Sequence, residues 1–508
     1  MILVIDFGGQ YAHLICRRIR QLNVYSEIRH HSISAADVKK LRPAGIIFSG
    51  GPASVYYPEP PLFEKKILSM GVPILGICYG HQIIAKVSGG RVITGGKEYG
   101  KGVLKPKKSP LFKGLGKKEQ VWLSHGDSVV KLPRGYSVIG STERCKTAAY
   151  ANEKKRVYGI QFHPEVQHTP NGMRILANFI KICGAKRNYS IKGLPQKIIG
   201  EIRKQIGDNS VIVGVSGGVD SLVASILIKK ATPKVYCVYI DHGLVRKGET
   251  EYVKGMYKRL GFRNFYAEDA SKIFLSRLKG VADPEKKRKI IGNTFIEVFE
   301  KKVRSLKKAH GAIKFLGQGT IYPDRIESAK ASSAASVIKT HHNVGGLPAK
   351  MKLKLLEPLK ELYKDEVRAV GKELGIPREY LARHPFPGPG LAVRIIGEVT
   401  PDKIEMVREA DAIFISKLIK YNCYDRVWQA LAALLPVKTV GVMGDSRTYG
   451  YVIALRAVTS KDAMTADWAR LPNIVLEESS TEIINSIKGV NRVVYDISQK
   501  PPSTIEYE

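Results

Sequence analysis

The segment Pro73-Ile-Leu-Gly-Ile77-Cys78-Tyr-Gly80-His-Gln82 begins as a short apolar run and ends in a glycine-flanked turn, after which a helical pattern starts. An unbroken apolar run suits a strand buried on both faces, and such strands belong to parallel sheets covered by helices. The same arrangement occurs twice upstream. Ile2-Leu-Val-Ile5 leads into Gly8-Gly9 and a helical stretch from about Ala12, and Gly45-Ile-Ile-Phe48 leads into Ser49-Gly-Gly-Pro52. The reading is an α/β fold with a parallel sheet. Its three glycine loops fall at the carboxyl ends of the strands, where sheets of this kind place their chemistry.

Working outward, a basic and polar stretch, Lys186-Arg-Asn-Tyr-Ser-Ile-Lys-Gly193, closes this first unit. A helical region around 195–206 follows, then Val211-Ile-Val-Gly-Val215, the loop Ser216-Gly-Gly-Val-Asp-Ser221 and a helix from Leu222. Another strand, Lys234 to Ile240, ends at Asp241-His242, so a second parallel-sheet α/β unit is expected. At Arg383-His-Pro-Phe-Pro-Gly-Pro-Gly390 the run from Pro387 to Gly390 excludes regular structure. Beyond it, helix over about 401–434 mixed with short strands predicts a smaller α+β unit. The expected domains are 1–185, 186–384 and 385–508, and about 150 residues per domain likewise gives three for a chain of 508.

Composition narrows the function. With 44% hydrophobic and 25% charged residues the chain is an ordinary packed protein, not a disordered one. No stretch approaches the ~18 uninterrupted apolar residues of a membrane span. Met1-Ile-Leu-Val-Ile-Asp6 has no basic leader region, and the six cysteines form no CxxC pair, so the expectation is a cytoplasmic protein without membrane contact. The unusual quantity is charge: 82 Lys and Arg against 46 Asp and Glu give +36. Such an excess raises nucleic acid as a partner. It is spread over two units, however, at +17 for 1–185 and +20 for 186–385, with −1 for 386–508.

Gly76-Ile-Cys78-Tyr-Gly80 places a cysteine between two glycines at a strand-to-helix turn, the elbow that exposes a nucleophile on a tight bend. The N–H groups of the following helix favour a thiolate there. Gly159-Ile-Gln-Phe-His163-Pro-Glu165 ends another apolar strand in a histidine, so His163 is placed to take the Cys78 proton and Glu165 to orient the imidazole. Gly50-Gly51 offers backbone N–H groups to an oxyanion.

Leu75-Gly-Ile-Cys-Tyr-Gly-His-Gln82, Ser49-Gly-Gly-Pro52 and Phe162-His-Pro-Glu165 resemble the class I glutamine amidotransferases, which hydrolyse glutamine through a cysteine thioester and release ammonia. The resemblance covers about residues 1–185. It implies Cys78 as nucleophile, His163 as base, Glu165 as its orienter, and the Gly51 and Tyr79 N–H groups as oxyanion hole. It also implies that Gln82 and Ser124-His-Gly-Asp127 help to hold glutamine.

In the second unit, Ser216, Gly217, Gly218, Val219, Asp220 and Ser221 form a loop between a strand and a helix. Two glycines let backbone N–H groups wrap a phosphate, the helix N-terminus adds partial positive charge, and Asp220 is the candidate Mg²⁺ ligand. The hexapeptide resembles the loop of the N-type ATP pyrophosphatases, of adenine-nucleotide α-hydrolase-like fold. These cleave ATP between the α and β phosphates and adenylate a substrate oxygen.

Gly317-Gln-Gly-Thr-Ile-Tyr-Pro-Asp324, Lys339-Thr-His-His-Asn343, Pro385-Phe-Pro-Gly-Pro-Gly390, Met443-Gly-Asp-Ser-Arg447 and Lys500-Pro-Pro-Ser-Thr-Ile-Glu506 extend the likeness over the whole chain. It is similar to the glutamine-hydrolysing GMP synthetase family. The resemblance implies ATP with Mg²⁺, XMP and glutamine as small-molecule partners, and a homodimer formed through the C-terminal unit. It further implies a lid bearing Asp324, Glu327, Lys339, His341 and His342, and XMP contacts from Arg288, Asp445, Lys500, Ile505 and Glu506. Two departures stand out: Gly9 where the family has Ser, and Tyr507 where it has Trp. The rival readings fit less well. A tRNA-modifying pyrophosphatase would leave the glutaminase without a role, and a nucleic-acid-binding protein with inactive enzyme domains would concentrate its charge among aromatics.

Overall fold

In the computed structural model the apolar runs become the central strands of the first unit, Met1–Ser190. Residues 1–311, 313–326, 353–443, 446–460 and 465–508 are described. The strands are β1 (Ile2–Asp6), β2 (Ser26–His30), β3 (Gly45–Phe48), β4 (Ile74–Ile77), β5 (Arg91–Pro106), β6 (Glu119–Lys131), β7 (Ser137–Ser141), β8 (Ala149–Asn152) and β9 (Val157–Ile160). They form one sheet in the order β2-β1-β3-β4-β9-β8-β7-β5-β6. The first five positions pair in parallel and the rest antiparallel. Every residue of β1, β3, β4 and β9 is buried, as strands sandwiched between helices must be.

The helix Tyr79–Val87 starts directly after Cys78 and lies close over the sheet. A Cβ on Gly80 would come within 2.5 Å of the Phe48 carbonyl oxygen, and one on Gly76 within 2.6 Å of the Gly80 oxygen. The two glycines on either side of Cys78 are therefore packing requirements, which is the physical content of the elbow pattern.

The second compact unit, Ile191–Glu508, holds a five-stranded parallel sheet in the order β12-β11-β10-β13-β14. Its strands are β10 (Ser210–Val215), β11 (Val235–Asp241), β12 (Phe265–Asp269), β13 (Ile313–Gly317) and β14 (Lys354–Leu356). The helix Val219–Ala231 leaves β10 through the Ser216–Ser221 loop. Beyond residue 385, β15 (Gln429–Met443) and β16 (Ser446–Thr459) form a long antiparallel ribbon, with β17 (Asp467–Trp468) and β18 (Val490–Tyr495) on β16. This part shares a core with the parallel sheet: Tyr236, Val238, Ile240 and Phe299 join Ile395, Phe414, Ala430, Leu434 and Ile453 in one buried cluster.

One expectation is corrected. The helix read over 401–434 stops at Lys420, and Asn422 takes a positive φ of 53°. The apolar run that follows is β15. Ala430, Ala432 and Leu434 face the large core, while Leu431 and Ala433 face a second cluster with Val458 and Ile505. Burial on both faces removes the alternation that marks a strand, so the run reads as helix. The strands there are also long, at 15 and 14 residues, not short. Among the described residues, no helix is long and apolar enough to cross a membrane.

Candidate active sites

Four of the residues singled out in the first unit, Gly51, Cys78, Gln82 and His163, line one cavity of about 540 Å³. Ser124, His125, Gly126 and Asp127 share it. Cys78 sits at the cap position before the helix Tyr79–Val87 with φ 52° and ψ −105°, a strained conformation for a residue with a side chain. Its N–H donates to the Ile160 carbonyl at 2.8 Å, tying the elbow to the end of β9. Cys78 is 5% exposed.

His163 lines the same cavity as Cys78, and its Nδ1 lies 2.7 Å from Glu165 Oε1. Its backbone is fixed as well: its main-chain N–H donates to the Trp122 carbonyl at 2.9 Å, and Thr169 Oγ1 donates to its carbonyl at 2.7 Å. Burial on its own pushes the imidazole down. The charges of Glu165 and Cys78 and their hydrogen bonds outweigh it and raise His163 to about 10. His163 and Glu165 therefore form a charge-linked pair beside Cys78, with the imidazole cationic at neutral pH.

Gly51 lies against the residue that follows β1, where an added Cβ would meet the Phe7 carbonyl oxygen at 2.7 Å. Tyr79 presents only its backbone toward the elbow, since its phenol is packed against Phe7 and donates to the Pro61 carbonyl at 2.8 Å. Gln82 Nε2 donates to the Asp127 carbonyl at 2.8 Å. One participant escaped the sequence reading: Gln161 Nε2 lies 3.8 Å from Cys78 Sγ. The carbonyl of Ser124, in the segment expected to hold glutamine, accepts from that sulfur at 3.5 Å. Gln161 sits two residues before His163 in the same strand-end motif, and that spacing was the available signal.

With Glu165→Gln the imidazole keeps a hydrogen-bond partner but loses the adjacent charge, so His163 falls from about 10, leaving Cys78 alone to oppose burial. The expected cost to glutamine hydrolysis is about 10²-fold in kcat. In the wild type, the stability contributed by the raised imidazolium is complete below about pH 6.5 and is lost as pH rises through about 10. The stability gap between wild type and variant, read by urea unfolding, should therefore shrink over that interval. An unchanging gap would remove His163 as its source.

In the second unit the loop Ser216–Ser221 is closed on itself. Ser216 N–H donates to Ser221 Oγ at 3.3 Å, Gly218 N–H to Ser216 Oγ at 3.3 Å, and Ser221 Oγ to the Gly218 carbonyl at 3.1 Å. Gly217 has a φ of 73°, and an added Cβ would lie 2.6 Å from Val253. Val219 and Asp220 begin the helix, so the loop is followed by a helix N-terminus. Asp220 Oδ2 accepts from Lys364 Nζ at 2.5 Å, while its Oδ1 is buried without a partner.

Three residues of this neighbourhood were missed, because their contacts join distant parts of the chain. Lys364 pairs with Asp220, and Arg383 donates to the Gly217 carbonyl at 2.9 Å and to Glu249 at 2.7 and 2.8 Å. Burial opposes the charge on Arg383, yet the Glu249 carboxylate raises it above its ordinary value.

The C-terminal candidates gather in part. Arg288 donates to Glu285 at 2.6 Å, and its Nε is buried without a partner. Its neighbour Lys287, fully buried, donates to Glu508 Oε2 at 2.5 Å. The tail and the Arg288 helix therefore meet. Glu506 is held by Arg394 at 3.0 and 3.1 Å and by Gln429 at 2.5 Å, while Arg394 also donates to Asp411 at 2.9 Å. Ile505 is buried beside Leu431 and Trp428. Lys500 exchanges two backbone hydrogen bonds with Ala466. Tyr507, the departure from the family pattern, donates its hydroxyl to Asp496 at 3.0 Å. Asp324 Oδ2 accepts from the Ile321 N–H at 3.1 Å. Glu327, Lys339, His341, His342 and Asp445 lie outside the described residues.

The chain matches the class-I glutamine amidotransferase family over residues 3–183 and the GMP synthase C-terminal domain family over residues 416–507. It is 57% identical to the glutamine-hydrolysing GMP synthase of Aquifex aeolicus, with 100% of this chain and 99% of that protein covered. The corresponding enzymes of Clostridium novyi and Clostridium acetobutylicum are 52% and 51% identical, with the same coverage. With the cysteine elbow, its histidine and carboxylate, and the glycine loop all in place, full-length identity of this level shows that the chain belongs to the glutamine-hydrolysing GMP synthase family.

Proposed function

We infer that the chain makes GMP from XMP, taking nitrogen from glutamine and activation from ATP. The observation that carries this reading is Cys78 beside a charge-linked His163–Glu165 pair, in a chain that also holds a phosphate-type loop at Ser216–Ser221. A glutaminase supplies ammonia, and the second unit supplies a carbon that ammonia can attack.

In the first unit the Cys78 sulfur attacks the glutamine side-chain carbonyl, and the oxyanion forms against the Gly51 and Tyr79 N–H groups. His163 gives its proton to the departing nitrogen, releasing ammonia and leaving a thioester. It then takes a proton from the water that hydrolyses the thioester to glutamate. Glu165 keeps the imidazole aimed throughout, and Gln82 braces the Asp127 carbonyl at the wall of the substrate cavity.

In the second unit the loop N–H groups of Gly217, Gly218 and Val219 and the Ser216 and Ser221 hydroxyls hold the ATP phosphates. The XMP O2 attacks the α-phosphorus, pyrophosphate leaves, and O2 becomes an adenylate. Ammonia then adds at C2 and AMP departs, giving GMP. XMP is held by Arg288, Lys500, Ile505 and Glu506, joined by Asp445, and the segment bearing Asp324, Glu327, Lys339, His341 and His342 covers the nucleotides.

Mg²⁺ is carried in with ATP. Among the described residues no three His, Cys, Asp or Glu side chains converge to cage a metal. That fits a cation bound mostly by phosphate oxygens with one or two carboxylates. The unpartnered Oδ1 of Asp220 is the fitting donor. The ion would neutralise charge on the departing pyrophosphate.

We place the reaction in the cytoplasm, in keeping with six cysteines that are all free thiols. The C-terminal unit is the proposed homodimer surface, supported by apolar side chains exposed on its ribbon at Val437, Val440 and Tyr449. The test is product analysis with XMP, ATP, Mg²⁺ and glutamine. Equal amounts of GMP, AMP, pyrophosphate and glutamate are expected, and absence of GMP would end the reading.

A further inference from the structure

Beside the glutaminase cavity lies a buried pair that the mechanism above does not use. His125 and Glu98 are 1% and 9% exposed at their side chains, with Nε2 3.2 Å from Oε2. The other ring nitrogen, Nδ1, lies 3.1 Å from the Asp127 carbonyl oxygen. Both nitrogens therefore face oxygen acceptors. A carbonyl oxygen cannot donate, so Nδ1 carries a hydrogen. The second contact is then a hydrogen bond only if one further proton lies between Nε2 and Oε2.

The backbone is arranged to bring these groups together. Glu98 is directly opposite His125 in the β5–β6 register, immediately after an irregularity between Thr94 and Glu98. A bulge re-aims the side chains that follow it. Thr142 Oγ1 donates to both Glu98 oxygens, at 3.0 and 3.1 Å, and fixes the carboxyl group from a neighbouring loop. The Asp127 carbonyl that receives His125 Nδ1 also receives Gln82 Nε2, and Ser54 Oγ donates to the Asp127 carboxylate at 2.6 Å. On the other side of His125, the Ser124 carbonyl accepts from the Cys78 sulfur. His125 thus sits between the nucleophile's acceptor and the anchor of Gln82, on the wall of the cavity.

We propose that Glu98 is a positioning residue for glutamine hydrolysis: the proton it shares with His125 holds the Ser124–Asp127 segment in the form that receives glutamine. This rests on the glutaminase reading and extends it to Glu98, a residue with no other role there. The charged and titratable groups facing the pair are His81 on the helix Tyr79–Val87, His163 after β9, Asp127 on β6 and the Cys145 thiol near Glu98. Burial pulls the His125 imidazole below its ordinary value, against the opposing pull of the Glu98 carboxylate; as pH rises through that lowered range the shared proton is lost, two acceptors oppose each other in a buried setting and the wall of the cavity is pushed apart. Affinity for glutamine then falls, and the second unit is untouched.

The test uses the full-length enzyme with Glu98→Ala and Glu98→Gln, following glutamate release in the presence of XMP and MgATP and, separately, GMP formation from ammonium. The Gln amide can donate permanently to His125 Nε2, so it supplies the hydrogen bond without the titration. Expected are a glutamine KM raised about tenfold or more by Glu98→Ala, with a smaller change in kcat, and a KM within about threefold of wild type for Glu98→Gln. On raising the pH, the wild-type KM should climb while that of Glu98→Gln stays level. Ammonium-dependent synthesis should be unchanged in both.

A wild-type KM in Glu98→Ala would overturn the proposal. So would a fall in kcat alone, which is the mark of a smaller folded fraction. If Glu98→Ala does not fold, the Gln variant decides, and a pH dependence of its KM that matches wild type refutes the shared proton. Wild-type enzyme that releases no glutamate would overturn the glutaminase reading itself, whereas active wild type beside a silent Glu98 overturns only this inference.

Discussion

Cys78→Ala should abolish glutamine-dependent GMP synthesis, by about 10⁴-fold or more, and leave synthesis from ammonium within about twofold of wild type. The first part follows because the thiol is the only nucleophile at the elbow. Ser124 contributes a carbonyl to the Cys78 sulfur, Gln161 contributes a side-chain nitrogen, and His163 lines the same cavity. Alanine keeps the Cβ and the backbone hydrogen bond from residue 78 to the Ile160 carbonyl, so the elbow survives. The second part follows because Cys78 and the phosphate loop belong to different compact units. Ammonium supplied from solution enters after the glutaminase step and needs only the adenylate. Parallel assays of the purified variant with each nitrogen donor check both parts. Loss of ammonium-dependent synthesis in a folded variant would contradict the separation of the two chemistries.

Asp220→Asn has the opposite signature. The amide keeps the size of the side chain, and its oxygen can still accept from Lys364, so the loop should hold its shape. What is lost is the negative charge and the unpartnered buried carboxylate oxygen that are proposed to meet Mg²⁺ and the ATP phosphates. Adenylation should fall about 10²- to 10³-fold, and synthesis should fall equally with glutamine and with ammonium. A higher Mg²⁺ concentration should recover part of the loss if the carboxylate acts through the cation. Pyrophosphate release under both donors is the measurement. A defect confined to glutamine would place Asp220 in communication with the glutaminase and not in ATP chemistry.

The two sites differ in how much of them is legible in sequence, and the reason is geometric. The glutaminase elbow is local. Gly76 and Gly80 are forced by the approach of strand and helix, and His163 and Glu165 are two residues apart, so the pattern carries the chemistry. The phosphate loop is equally local, but its supports are not: Lys364 and Arg383 reach it from 144 and 166 residues away. No periodicity encodes such contacts. Glu98 is hidden for a related reason, since only the strand register after an irregularity sets it opposite His125. The helix expected to continue to 434 failed at Asn422, where the chain turns and enters a strand buried on both faces. An apolar run such as Ala430 to Leu435 is ambiguous by itself, and only the partner strand β16 resolves it.

Charge teaches a related lesson. The excess of +36 is a property of the whole chain, and the buried cations of the second unit add nothing to it, because each is matched by carboxylates, as with Lys287 and Glu508, Arg383 and Glu249, and Arg394 with Asp411 and Glu506. A buried cation is costly to leave unpaired, so these residues report on internal architecture and not on a polyanion partner.

The central claim is that nitrogen leaves glutamine in one unit and replaces an adenylated oxygen of XMP in the other. A double-label experiment tests it most directly: glutamine labelled with ¹⁵N in its side-chain amide, and XMP labelled with ¹⁸O at O2, with MgATP and wild-type enzyme, analysed by mass spectrometry. The account predicts ¹⁵N in the exocyclic amine of GMP and ¹⁸O in the phosphate of AMP, with unlabelled pyrophosphate. Label from XMP in pyrophosphate or in water, or GMP without ¹⁵N, would contradict it.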